Sequence, residues 1–144
     1  MGGTVVNLVD RRRLEFSYLA GSASQSITLI PSIIACGYVF VALYARLHAR
    51  SMAAGQLLTF SLYNILPSDE DAREFVETDG AGSPVSCLDL TLTSSLPTAV
   101  PGMYSNSTSS TGPFLKLGLK ATQASSPATF YVEVSLLLLM GESR

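Results

Sequence analysis

The chain has 144 residues, with 9 Lys plus Arg against 11 Asp plus Glu and a formal net charge of −2. Charged residues make up 14% and hydrophobic residues 47%, against a usual charged share of about 25%. That balance excludes a disordered chain and a generally basic nucleic-acid binder; the length fits one domain.

In chain order, residues 4–9 are short and β-branched, followed by Asp10 and the run Arg11, Arg12, Arg13. Residues 14–19 are mixed, and 21–26 are small and polar, as a loop requires. Residues 27–34 are apolar but contain Pro31, which suits an edge strand or a bulge. From Tyr38 to Arg50 side chains alternate: Val39, Val41, Leu43, Ala45, Leu47 and Ala49 take one face. The other face runs from aromatic (Tyr38, Phe40, Tyr44) to cationic (Arg46, His48, Arg50). Residues 51–56 read as a hairpin loop and 57–66 as the next strand.

Pro67 and Ser68 then precede Asp69, Glu70 and Asp71. A capping serine followed by first-turn acids predicts one short helix near 69–76. After a loop at 78–84, residues 86–93 alternate again. Residues 94–113, with three prolines and many Ser, Thr and Gly, read as a long surface loop or a short edge strand. Residues 114–120 form the clearest strand, 121–128 a loop, and 129–140 the last strand, apolar on both faces from Leu136 to Leu139.

Seven or eight strands punctuated by turns predict an all-β fold: a single antiparallel β-sandwich or jelly-roll-like domain over 1–144, with residues 1–20 as an N-terminal arm. No β-α-β rhythm is present, which argues against a parallel nucleotide-binding sheet. Residues 27–45 are uncharged over a length that could span a bilayer as a helix. Pro31, Gly37 and the period of two from Tyr38 onward favour strands instead.

Catalytic and metal signatures are missing. The chain has one histidine and two cysteines, Cys36 and Cys87, and no nucleophile-elbow, phosphate-loop, dinucleotide or zinc-protease pattern. Each cysteine lies in an apolar stretch, where a small buried thiol is the simplest expectation. The acids around Asp69 fail the spacing of a calcium loop, and Asn106-Ser107-Thr108 is a chance glycosylation match. The expectation is therefore no enzyme and no cofactor. The first residues lack a basic and then apolar leader, so no signal peptide is expected.

A charge-poor, apolar-rich chain fits an assembly in which other protein covers much of the surface. Residues 1–50 carry a net +3 and residues 51–144 a net −5, an asymmetry that can set register between copies. The sequence thus predicts a structural subunit, most concretely a capsid-decorating or coat protein of a virion, or of another extracellular or cytoplasmic assembly. Its expected partners are copies of itself and another shell or coat protein, with no nucleic acid. Candidate contact residues are Arg11, Arg12, Arg13, Arg46, His48 and Arg50, facing Asp69, Glu70 and Asp71 of a neighbour, and Leu137. The alternatives are a carbohydrate-binding module using Tyr38, Phe40, Tyr44 or Tyr104, and a membrane protein anchored by 27–45.

Overall fold

Each alternating segment of the sequence forms a strand, because period-two patterning gives one apolar face to bury and one polar face to leave in water. The computed structural model of the chain describes residues 3–17, 24–53, 55–67, 74–94, 102–109, 111–122 and 129–142. Its strands are β1 (Gly3–Phe16), β2 (Ser24–Ile34), β3 (Phe40–Ser51), β4 (Leu57–Pro67) and β5 (Glu74–Val76). They continue with β6 (Ser86–Thr93), β7 (Gly102–Thr108), β8 (Phe114–Thr122) and β9 (Phe130–Gly141).

Pairing is antiparallel and nested: β1 with β9, β2 with β8, β3 with β7, and β4 with β6. The chain is in effect one long hairpin folded over on itself, as in a jelly roll. Pairing of β3 with β9 and of β4 with β8 completes two sheets. Sheet A has the order β1-β9-β3-β7, and sheet B the order β2-β8-β4, with β6 and β5 sharing the far edge of β4.

The inner faces meet in one hydrophobic cluster. Leu43, Leu47, Phe130, Leu136 and Leu138 come from sheet A; Leu58, Phe60, Leu62, Leu115 and Leu117 come from sheet B. Each such side chain, fully buried, contributes roughly 1.5–3 kcal/mol. The apolar segment 27–45 is accounted for here, as most of β2 and the start of β3. No helix among the described residues is long and apolar enough to cross a membrane.

The short helix expected near 69–76 is not seen. Residues 68–73, including Asp69, Glu70 and Asp71, lie outside the described residues, and Glu74–Val76 is strand β5. The reason is tertiary: β6 pairs with β4 only as far as Tyr63, which leaves the edge at Ile65–Pro67 open for Glu74–Val76 to pair. Pro31 lies within a register shift between Ile30 and Ile33 on edge strand β2, where its missing N–H costs no ladder bond. Residues 102–108, inside the stretch expected to be loop or edge strand, form β7 at an edge of sheet A.

Candidate subunit-contact site

The outer face of sheet A can be read row by row from its register. Val5 lies opposite Leu139, and Leu139 opposite Ala42. In the next row Asn7, Leu137, Tyr44 and Ser105 follow one another across the four strands. Beyond them Ser135, Arg46 and Met103 align. These side chains point outward because their sequence neighbours Leu136, Leu138, Leu43 and Ala45 are fully buried inward. Val5 (65% exposed), Met103 (67%) and Leu137 (38%) therefore present large apolar groups to solvent from a regular sheet.

Two bulges shape the charged end of this face. In β1 the register jumps from Val9↔Leu136 to Arg12↔Val134, so Asp10 and Arg11 are extruded. Arg11 takes a left-handed φ of 39°, costly for a side chain with a Cβ. The strained residue is held at both ends. Its backbone N–H donates to Ser135 Oγ at 3.0 Å, and its guanidinium Nε donates to Glu133 Oε1. The Arg11 cation holds the Glu133 carboxyl below its ordinary value, first through that hydrogen bond.

The second bulge lies in β3, where the register shifts between Leu47 and Ala49. His48 Nε2 lies 2.8 Å from Ser135 Oγ. That hydroxyl accepts from Arg11 N–H and keeps both its proton and a second acceptor position, so the direction of its bond with His48 follows the imidazole tautomer. Arg11, Arg46, His48, Ser135 and Leu137 thus line one groove of about 400 Å³. Serine and histidine touch here, but the serine serves to cap the extruded backbone of the bulge, which is a structural task.

The structure separates other expected members of the site. A one-residue bulge flips all later side chains to the opposite face. Arg50 consequently pairs with inward-facing Val132, not on the outer face with Arg46 and His48 as simple alternation predicts. Arg13 stacks its guanidinium 3.7 Å above the Tyr131 ring and lies 3.4 Å from Glu15, while Arg12 is exposed opposite Val134. Asp69, Glu70 and Asp71 lie outside the described residues; of the same acidic stretch, Glu77 and Asp79 are exposed beyond β5.

The four tyrosines and phenylalanines considered for sugar stacking do not form one platform. Tyr38 and Tyr104 pack against the core, and the Phe40 ring lies over Gly141. Both cysteines are free thiols. Cys36 is exposed in the turn before β3, contrary to the expected burial, because the turn carries it out of the sheet. Burial pushes the Cys87 thiol up from 9.0 to about 11, with Glu77 and Asp89 adding to the rise. The Asn106 amide is committed within the fold: its Nδ2 donates to Asp89 O at 2.8 Å. Nothing in the sequence marked Ser135 as the joint between the two bulges; a serine in an apolar strand was the only trace.

The outer face of sheet B is of a different kind. Ser26, Lys120, Thr59 and Thr91 form one row. Thr28, Gly118, Ser61 and Asp89 form the next. Ser61 Oγ donates to Asp89 Oδ1 at 2.6 Å. The Lys116 ammonium sits 5.5 Å from the centre of the Tyr63 ring.

No family model and no curated protein matches the chain. Solved structures do match. The VP2 subviral particle of infectious bursal disease virus aligns with a TM-score of 0.52 and 14% identity, over 98% of this chain and 32% of that one. The structure of the Gt strain of the same virus aligns with a TM-score of 0.53 and 14% identity, over 97% and 33%. The chain spans about a third of the length of these chains. At this identity the likeness establishes a shared β-sandwich fold.

Proposed function

We propose that the chain is a non-enzymatic structural subunit of a large protein assembly, most concretely a coat or capsid-decorating protein of a virion. The observation that carries this reading is the outer face of sheet A. Val5, Leu137 and Met103 stand exposed beside Arg11, Arg46 and His48. Leu137 stands on inner strand β9, with Val5 and Met103 on the two edge strands and Arg46 and His48 on β3 between them; such a mixed apolar and charged surface is usual for a protein contact, and exposed large apolar residues gathered on one sheet face mark interaction surfaces. The likeness in fold to the VP2 particle supports the same reading.

The partners are copies of this chain, joined by a second shell or coat protein. Arg11, Arg46 and His48 meet the acidic stretch of a neighbour: Asp69, Glu70 and Asp71, with exposed Glu77 and Asp79. Such complementarity fixes register and orientation more than it adds affinity. Size-exclusion chromatography with light scattering and negative-stain microscopy, in buffer without detergent, tests the proposal. A large regular particle is expected. A homogeneous species of 15.3 kDa at every concentration would refute it.

A further inference from the structure

We infer that β1, along Gly3–Asn7, pairs antiparallel with the same segment of a second copy, about a two-fold axis through Val5. The inference deepens the shell reading and rests on it for one point only, that the partner is a copy of this chain. It concerns the backbone edge of sheet A, where that reading uses the outer face. The two flanks of the sandwich are finished differently. On one flank β6 and β7 lie against each other, and Asn106 Nδ2 joins them by donating to Asp89 O. On the other, β1 and β2 end their sheets, with no strand beyond either among the described residues.

An end strand presents a row of backbone N–H and C=O groups that another strand can pair, and native edges are blunted by charge, proline or bulges. β2 carries Pro31 and two register shifts. β1 is blunted from Asp10 onward, by the extruded Asp10 and Arg11 and by Arg12 and Arg13 behind them. Gly3–Asn7 has none of these devices. It runs in unbroken register along β9, from Gly3↔Gly141 to Asn7↔Leu137, uncharged and without proline. The groups left over there are main-chain donors and acceptors, so the occupant is a strand.

The segment matches itself. A two-fold axis normal to the sheet through Val5 sets Val5 against Val5 of the second copy, Thr4 against Val6 and Gly3 against Asn7, an isologous contact in which outward side chains meet outward ones. Val5, exposed at the rim of a single sheet, then gains a β-branched cross-strand neighbour. The same rotation carries the two Asp10–Arg13 runs to opposite ends of the ladder, so like charges do not face each other. It also makes the outer faces of the two A sheets one continuous surface, from β7 of one copy to β7 of the other.

Cysteine cross-linking tests the pairing. In a Cys36→Ser, Cys87→Ser background, Val5→Cys puts a thiol on the axis, with its counterpart directly opposite at a Cβ separation of about 4.5–5.5 Å. Dibromobimane, which bridges neighbouring thiols, should then give a covalent dimer on a denaturing gel. Asn7→Cys, whose counterpart lies about 13 Å further along the partner strand, should give none. Val5 and Asn7 are exposed, so both variants keep the fold. Thr4 is exposed too and lies off the outer face, opposite buried Met140. Thr4→Lys added to Val5→Cys should slow linking by roughly tenfold, since an edge lysine blocks strand pairing. No dimer from Val5→Cys, equal linking of Asn7→Cys, or no effect of Thr4→Lys would overturn the inference. Large particles without the Val5→Cys dimer would remove this inference and leave the shell proposal standing. A Val5→Cys dimer that assembles no further would support this inference and count against the shell.

Discussion

Adjacent residues of β9 make opposite predictions about one substitution. Leu136 is fully buried between the sheets; Leu137, one position on, faces out and is 38% exposed. Fully burying a leucine contributes roughly 1.5–3 kcal/mol, and Leu137 is only partly covered, so Leu137→Asp should cost the isolated fold about 1–2 kcal/mol. That lowers Tm by roughly 2–8 °C. The new carboxylate also lands in a groove lined by Arg46, by Arg11 already paired with Glu133, and by Asp10, so the charges around it largely cancel. Leu136→Asp forfeits the whole burial term and places a carboxylate in the core, at a penalty of several kcal/mol. Against a total stability of about 5–15 kcal/mol, that unfolds the protein. Circular dichroism should therefore show a folded Leu137→Asp and an unfolded Leu136→Asp. Light scattering should show that the folded variant no longer assembles, because assembly would bury its charge against a neighbour. Particles of undiminished mass from Leu137→Asp would remove the outer face of sheet A from the contact. Equal thermal damage from both substitutions would refute the alternation on which the face is built.

Three further predictions concern the fold and its bulges. The Glu133 carboxyl titrates below its ordinary 4.5 because of Arg11, so the stabilisation it gives is present above that value and is lost as pH falls through the depressed one. In Arg11→Ala, carboxyl NMR should find Glu133 titrating closer to 4.5, and acid unfolding should lose that contribution; an unmoved titration would show that the bulge does not hold the pair. Iodoacetamide at mild alkaline pH should label exposed Cys36 well before Cys87. A thiol raised from 9.0 to about 11 has roughly a hundredfold less thiolate; mass spectrometry finding equal rates would contradict the burial of Cys87. Gly141→Ala would drive a methyl into the Phe40 ring, at a cost of roughly 1–3 kcal/mol for overpacking. Phe40→Ala in the same chain should recover most of that loss in thermal melts, and additive losses would mean that the ring does not cover Gly141.

The sandwich was legible in the sequence because hydrophobic burial acts one residue at a time. Leu115, Leu117 and Leu119 alternate with Lys116, Gly118 and Lys120, and only a strand places the three leucines on one side. The same local logic gave Pro31 its edge and Leu137 its place among the candidate contacts. What the sequence could not determine depends on which strand lies beside which. A capping signal at Ser68 gave no sign that the open edge of β4 would recruit Glu74–Val76 as a strand. The cationic stripe Arg46, His48, Arg50 looked continuous until a bulge, set by the pairing of β3 with β9, turned Arg50 away. Ser135 acquired its role only because β9 lies between two bulged strands, and the hydroxyl rows of sheet B came together from four separate segments. Side-chain alternation is a property of one segment and is written in its residues. Register and adjacency arise from the competition of every segment for backbone partners, and only the folded chain decides them.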